Sequence, residues 1–195
     1  MYLVDANILV YAADEDSEHH AVARDWLDGR TSGAPRSVGL PWPSLLAFFR
    51  LVTNPRMYSP PATAADAWQR IEDWLSRPAA WIPVPGSRHH QVLGGIVREC
   101  RPTGNLVPDA HLAALALEHG LTVVSTDTDF ARFPGVAWLN PVSAAVLRRL
   151  RRLAMLTRAP ARSTQATPVR VRQASNTRIY GRNGTPRYTA ARLLK

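Results

Sequence analysis

A single cysteine, Cys100, in a chain of 195 residues has no partner for an intramolecular disulfide and excludes a cysteine-built metal site. Its neighbours Ile96 and Val97 are apolar, so it reads as a packed thiol, and a reducing cytoplasmic setting is expected. No apolar run approaches the roughly 20 residues that a membrane span requires, and no membrane association is expected. The opening segment, Met1 to Val10, is apolar but carries Asp5 and Asn7 without a basic leader, which reads as a strand rather than a signal peptide. No glycine-rich phosphate loop follows it, which argues against a nucleotide-binding module. Acid is missing where the charge is greatest: residues 151–195 hold 11 basic residues and no Asp or Glu, whereas residues 1–150 hold 13 basic and 15 acidic. The formal net charge of +9 therefore belongs to the tail.

What is present is ordinary globular composition, 46% hydrophobic and 20% charged, in a length that suits one domain with a full core. Tyr2 to Val4 forms an apolar strand ending at Asp5, and helix-compatible spacing continues from Ile8 to Ala13. Further helices are expected from Glu18 to Leu27 with Gly29 as a stop, from a Ser44 cap through Thr53, behind the Thr63-to-Asp66 capping box, after a Ser87 cap, and from Pro108 to His119. Strands are expected at Ser37 to Leu40, Trp81 to Val84, Leu121 to Ser125 and Val136 to Leu139. Strands alternating with helices predict an α/β sandwich around a mostly parallel sheet, with sites at the carboxyl ends of strands. A last helix from Val142 to about Leu156 turns basic, and beyond Arg158 no periodicity remains that could bury a core. The expected division is a folded domain over 1–145, then a basic helix end and a disordered tail over 146–195.

The acids at element junctions carry the chemistry. Asp5 follows the first strand, Asp109 sits at a helix start, and Asp127 and Asp129 follow the strand from Leu121. Each alone reads as a cap or turn residue. Together at one sheet edge they would repel one another, and a divalent cation would relieve this; all-oxygen ligands suit Mg²⁺ or Mn²⁺ rather than zinc. An acid-held cation can turn water into a nucleophile for a phosphodiester, so phosphodiester hydrolysis is the expected reaction.

These residues lie in four stretches, LVDANILVYA at 3–12, GLPWPSLLAFFRLVTNPR at 39–56, GNLVPDAHLAALALEHG at 104–120 and TVVSTDTDFARFPGVAW at 122–138. In order and interval they resemble the PIN-domain family, specifically its VapC-like toxins, over residues 1–145. The resemblance implies a three-layer sandwich and a Mg²⁺- or Mn²⁺-dependent endoribonuclease of a type II toxin–antitoxin pair. Asp5, Asp109 and Asp127 would be the metal-binding acids, with Asp129 binding a second metal or orienting water. Asn7 and Thr126 would hydrogen-bond the liganding carboxylates. It further implies a VapB-like antitoxin, an RNA substrate such as tRNA or rRNA, and a homodimer.

One position departs from the family. A Glu usually stands in the helix after the second strand, in a pattern of Glu, then Leu or Phe, any residue, and Arg; here the text is Ala47-Phe48-Phe49-Arg50. Fewer negative ligands should weaken metal binding, which keeps open an alternative: a PIN-like domain that binds RNA or a partner but cleaves poorly. Arg50 is a candidate for RNA phosphate contact. A phosphotransferase using Asp5 as nucleophile ranks lower, because an Asp would be wanted at position 7 and Asn7 stands there. His19-His20 and His89-His90 lack helical metal-site spacing, His111 is expected to turn away from Asp109, and Trp26, Trp68 and Trp74 read as core or dimer contacts. The tail could hold RNA without specificity, but the simpler reading is a read-through extension.

Overall fold

The computed structural model describes residues 1–145. In chain order the elements are β1 (Tyr2–Val4), α1 (Ala6–Ala13), α2 (His20–Thr31), β2 (Val38–Gly39), α3 (Trp42–Val52), α4 (Ala64–Leu75), β3 (Ala80–Trp81), α5 (His89–Cys100), α6 (Leu106–His119), β4 (Thr122–Val124), a 3-10 turn (Thr128–Arg132) and β5 (Trp138–Leu139). Residues 141–145 are helical. The expected continuation to Leu156 and the 146–195 tail lie outside the described residues.

The five strands form one sheet in the order β3-β2-β1-β4-β5, and every pairing is parallel. Strand β1 is central, with Tyr2 and Leu3 opposite Val38 and Gly39 on one side and Tyr2 to Val4 opposite Thr122 to Val124 on the other. Because side chains alternate along a strand, Val4 and Val124 enter one core while Leu3 and Val123 enter another. The first core is filled from α1, α2, α3 and α4 by residues such as Ile8, Leu27, Phe48, Ile71 and Trp74. The second is filled from α5, α6 and the 3-10 turn by Ile96, Leu112, Leu115 and Phe130. Both sheet faces are thus covered, which gives the expected three layers and explains why the strands read as continuous apolar runs.

Several helix boundaries differ from the sequence expectation. Gly29 does not stop α2, which runs on to Thr31. Thr31 is buried, bonds the Leu27 carbonyl at 2.8 Å and accepts from Arg77 at 2.8 Å, so tertiary contacts carry the helix past the glycine. Ser44 does not cap α3; the helix begins at Trp42, Pro41 takes the cap position, and Pro43 fits the first turn because its missing N–H has no partner there. Ser87 does not cap α5, whose cap position is Arg88 without a side-chain bond. Helix α6 starts two residues before Pro108 and ends as expected at Gly120, left-handed at φ 64°. Half of the Thr63 box forms: Thr63 Oγ1 accepts from the Asp66 N–H at 3.1 Å, while the Asp66 carboxylate accepts from the Thr63 hydroxyl at 2.6 Å in place of the Thr63 N–H.

Candidate active site

After β1 the chain turns toward β2 and β3 on one side, and it returns as β4 on the other side of β1. Strands β1 and β4 therefore flank the topological switch point, where open α/β sheets form their crevices. Asp5 leaves the end of β1, and Ser125 to Asp129 leave the end of β4. Residue Asp109 arrives from the first turn of α6. These segments and α3 enclose a cleft of about 300 Å³ lined by Asp5, Asn7, Ala47, Arg50, Asp109, Asp127 and Asp129, among others.

Asp5 and Asp127 are caps as well as cleft residues. Asp5 Oδ1 accepts the Ala6 N–H at 2.7 Å, and Asp127 Oδ1 accepts the Asp129 N–H at 2.9 Å. Both starts of helical structure are thereby anchored while a second carboxylate oxygen remains on each residue. Asp5 Oδ2 accepts from Asn7 Nδ2 at 2.9 Å and from Ser125 Oγ at 2.7 Å. Asp109 is different: it is not the cap of α6, and among the described residues no hydrogen-bond donor reaches its carboxylate.

Burial pushes the Asp5 carboxyl up to about 6 against the Ser125 and Ala6 hydrogen bonds, with the Asp127 charge adding to the rise. Burial also lifts Asp109, to about 7, and the charges of Asp5, Asp127 and Asp129 add to it. The four acids therefore sense one another. Among the described residues no three acidic, imidazole or thiol groups are closed on a single point, as expected where like charges hold one another apart. The donor chemistry nonetheless fits a hard divalent cation: the four acids offer carboxylate oxygens, Asp109 has no hydrogen-bond donor among the described residues, and the charge of the cleft is self-repelling.

The sequence expectation gave the carboxylate-holding role to Asn7 and Thr126. Asn7 is in place, nearly buried, donating to Asp5 and to Ser125 Oγ at 2.8 Å. Thr126 contributes backbone instead, its N–H donating to Asn7 Oδ1 at 3.3 Å and its carbonyl accepting from Asn140 Nδ2 at 3.5 Å. The side chain that meets the carboxylate is Ser125, fully buried, and sequence reasoning missed it. The missed signal is strand parity: Ser125 directly follows a strand in which Val123 and Val124 are buried on opposite faces, so its orientation could be counted from them.

Ala47 and Arg50 both line the cleft, so the position without the expected acid faces the other acids. The remaining candidates lie elsewhere. His89 bridges Glu118 and His111 at 3.0 Å each, on the α5 and α6 packing surface. His20 Nδ1 lies 3.1 Å from the Tyr11 carbonyl, and the His19 ring packs edge-on against Tyr11. Trp74 is buried against Phe48, and Trp26 packs edge-on to Tyr2, in keeping with core roles. Trp68 is not a core residue: it is 42% exposed and stacked on Trp42.

A parallel sheet with acids converging at its switch point defines a class of fold, and sequence comparison supplies the family. The PIN domain profile matches residues 2–136, and the chain belongs to the PIN-domain family. It is 46% identical over 141 residues to Ribonuclease VapC37 of Mycobacterium tuberculosis, covering 72% of this chain and 97% of that protein. It is 40% identical over 142 residues to VapC ribonuclease Mb2897 of Mycobacterium bovis, covering 73% and 96%. VapBC2 from Rickettsia felis, solved bound to a DNA fragment from its promoter, shares the fold at a TM-score of 0.55 and 20% identity, covering 71% of this chain and 97% of that one. FitAcB from Neisseria gonorrhoeae does so at 0.52 and 20%, covering 73% and 99%. No helix among the described residues is long and apolar enough to cross a membrane.

Proposed function

We propose that this chain is a divalent-cation-dependent endoribonuclease, the toxin half of a VapBC-type toxin–antitoxin pair. The observation that carries the reading is the meeting of Asp5, Asp109, Asp127 and Asp129 in one cleft at the switch point of the sheet. The VapC ribonucleases at up to 46% identity support the same activity. Asp5, Asp109 and Asp127 hold the cation, Mg²⁺ or Mn²⁺, and Asp129 holds a second one or orients water. When bound, the cation supplies a water of lowered pKa and neutralises charge at the phosphodiester. Asn7 and Ser125 fix the Asp5 carboxylate, and Arg50, exposed at the cleft, gives a planar fork for the substrate phosphate. Hydrolysis then adds water to phosphorus and breaks one P–O ester bond, the leaving oxygen taking up a proton.

The biological setting follows the same reading: a VapB-like antitoxin restrains the enzyme, tRNA or rRNA is the substrate class, the working unit is a homodimer, and the compartment is the cytoplasm. The catalytic domain is residues 1–145, and 146–195 is an appended basic segment. Purified full-length chain should cleave structured RNA with Mg²⁺ or Mn²⁺ and be silenced by Asp5→Asn or Asp127→Asn. Undiminished cleavage in excess chelator would overturn the proposal. Truncation after residue 145 should leave folding and cleavage intact while weakening salt-sensitive binding to generic RNA. A second reading, binding with little cleavage, draws on one observation, the alanine at position 47 of the cleft. Cation-dependent cleavage that Asp5→Asn removes would reject it.

A further inference from the structure

Ser44 is a buried polar residue of the cleft whose chemistry nothing so far uses. It stands in the first turn of α3, is only 1% exposed, and lines the same cleft as Asp5, Asp109 and Asp127. Its Oγ is buried without a hydrogen-bond partner, one of two such side-chain atoms among the described residues. A serine this early in a helix often satisfies itself by capping, but the cap position of α3 belongs to Pro41. A hydroxyl kept dry and unpaired costs stability, and an alanine would fill the same space without that cost. The hydroxyl therefore needs an occupant of the cleft.

The geometry points to a positioning role: we propose that Ser44 Oγ binds a water of the cation's hydration shell, in the place left without a carboxylate by Ala47. Ser44 and Ala47 are three apart on α3, hence neighbours on one helix face, and both line the cleft. Mg²⁺ retains several of its waters even in protein sites, so an outer contact by a neutral oxygen suits it. A cation-bound water is a strong donor, and the Ser44 oxygen has its lone pairs free to accept from it. The inference rests on the cation reading of the site, and it assigns the orientation of the bound ion on the α3 side to a hydroxyl instead of an acid.

The test compares full-length wild type, Ser44→Ala and Ser44→Thr in two measurements: Mn²⁺ binding followed by electron paramagnetic resonance, and the melting temperature in chelator and in a Mg²⁺ titration. Ser44→Ala should bind Mn²⁺ about tenfold more weakly, the lower end of the effect of groups behind metal ligands. Its melting temperature in chelator should be unchanged or higher, since an unpaired hydroxyl has gone. Its Mg²⁺-induced rise should shrink, and Ser44→Thr, which keeps the hydroxyl, should retain it. Equal Mn²⁺ affinity in wild type and Ser44→Ala would overturn the role of Ser44 while leaving the cation site standing. A Ser44→Ala variant that melts lower in chelator, or fails to fold, would make the hydroxyl structural and overturn it too. Wild type that binds no Mn²⁺ would remove the cation reading itself, and this inference with it.

Discussion

Ser125 Oγ donates to Asp5 Oδ2 at 2.7 Å across 120 residues of sequence, and the same oxygen accepts from Asn7 Nδ2 at 2.8 Å and from the Asp127 N–H at 2.9 Å. One hydroxyl thus uses its single donor and both acceptor sites, and ties the end of β1 to the end of β4.

Ser125→Ala should be costly for that reason. It removes a charge-assisted hydrogen bond and orphans two donors, with an expected loss of about 2–4 kcal/mol. The Asp5 carboxyl, which the Ser125 bond holds down, should move further up. Urea denaturation and NMR titration of Asp5 read the two effects separately. A variant with wild-type stability and an unmoved Asp5 would mean that the network has another anchor.

The acids also set a pH dependence. In chelator, Asp5 titrates at about 6 and Asp109 at about 7, against 3.8 in an unfolded chain. The native state therefore binds more protons than the unfolded chain between those values, so stability is greater on the acid side and is lost as pH rises through 6 and 7. A loss of about 2 kcal/mol corresponds to roughly 4–8 °C in Tm for a chain of this size. We expect Tm in chelator to fall by that order between pH 5 and pH 8, and saturating Mg²⁺ to remove most of the fall. A Tm that rises over this range in chelator would contradict the cleft electrostatics.

Asp109→Asn separates function from stability. Asp109 has no donor of its own and is repelled by three neighbours, so the amide should stabilise the protein in chelator at pH 8 by about 1–2 kcal/mol. The same variant should lose its Mg²⁺ response and its RNA cleavage. Retained cleavage would remove Asp109 from the proposed ligand set.

Ala47→Glu would place an acid where the family pattern expects one. The side chain is half-buried at the cleft, so crowding should stay within about 1–2 kcal/mol. Metal affinity should rise by about 10–100-fold, with cleavage saturating at lower Mg²⁺. Calorimetric metal titration beside Tm in chelator checks this, and unchanged affinity in a stable variant would show that residue 47 does not reach the ion.

Much of this was legible in the sequence because local signals and tertiary fold agree. The apolar run before Asp5, the Thr63 box and the left-handed Gly120 each report a boundary that packing does not alter. Gly29 misled because the Arg77 clamp on Asp28 and Thr31, at 2.6 and 2.8 Å, holds α2 together through a residue that alone favours a stop. Ser44 looked like a cap because prolines at 41 and 43 suggest a break, whereas proline is compatible with a helix entrance. The exchange of Thr126 for Ser125 has a different origin: two adjacent hydroxyl residues at a strand end point opposite ways, and which of them meets Asp5 follows from counting the alternation on from the buried Val123 and Val124 and from the pairing of β4 with β1.

The switch-point topology also orders events in time. Asp5 is made first of the four acids, and its partners Ser125 and Asp127 follow only after β2 and β3, although β4 pairs directly with the central strand. At a synthesis rate of about 5–20 residues per second, the 120 residues between Asp5 and Ser125 take roughly 6–24 s to appear. Until then the nascent polypeptide holds Asp5, joined late by Asp109, without Asp127, Asp129 or the β4 edge of the cleft, so the site that would attack RNA is not assembled beside the translation machinery while the first 124 residues are being made.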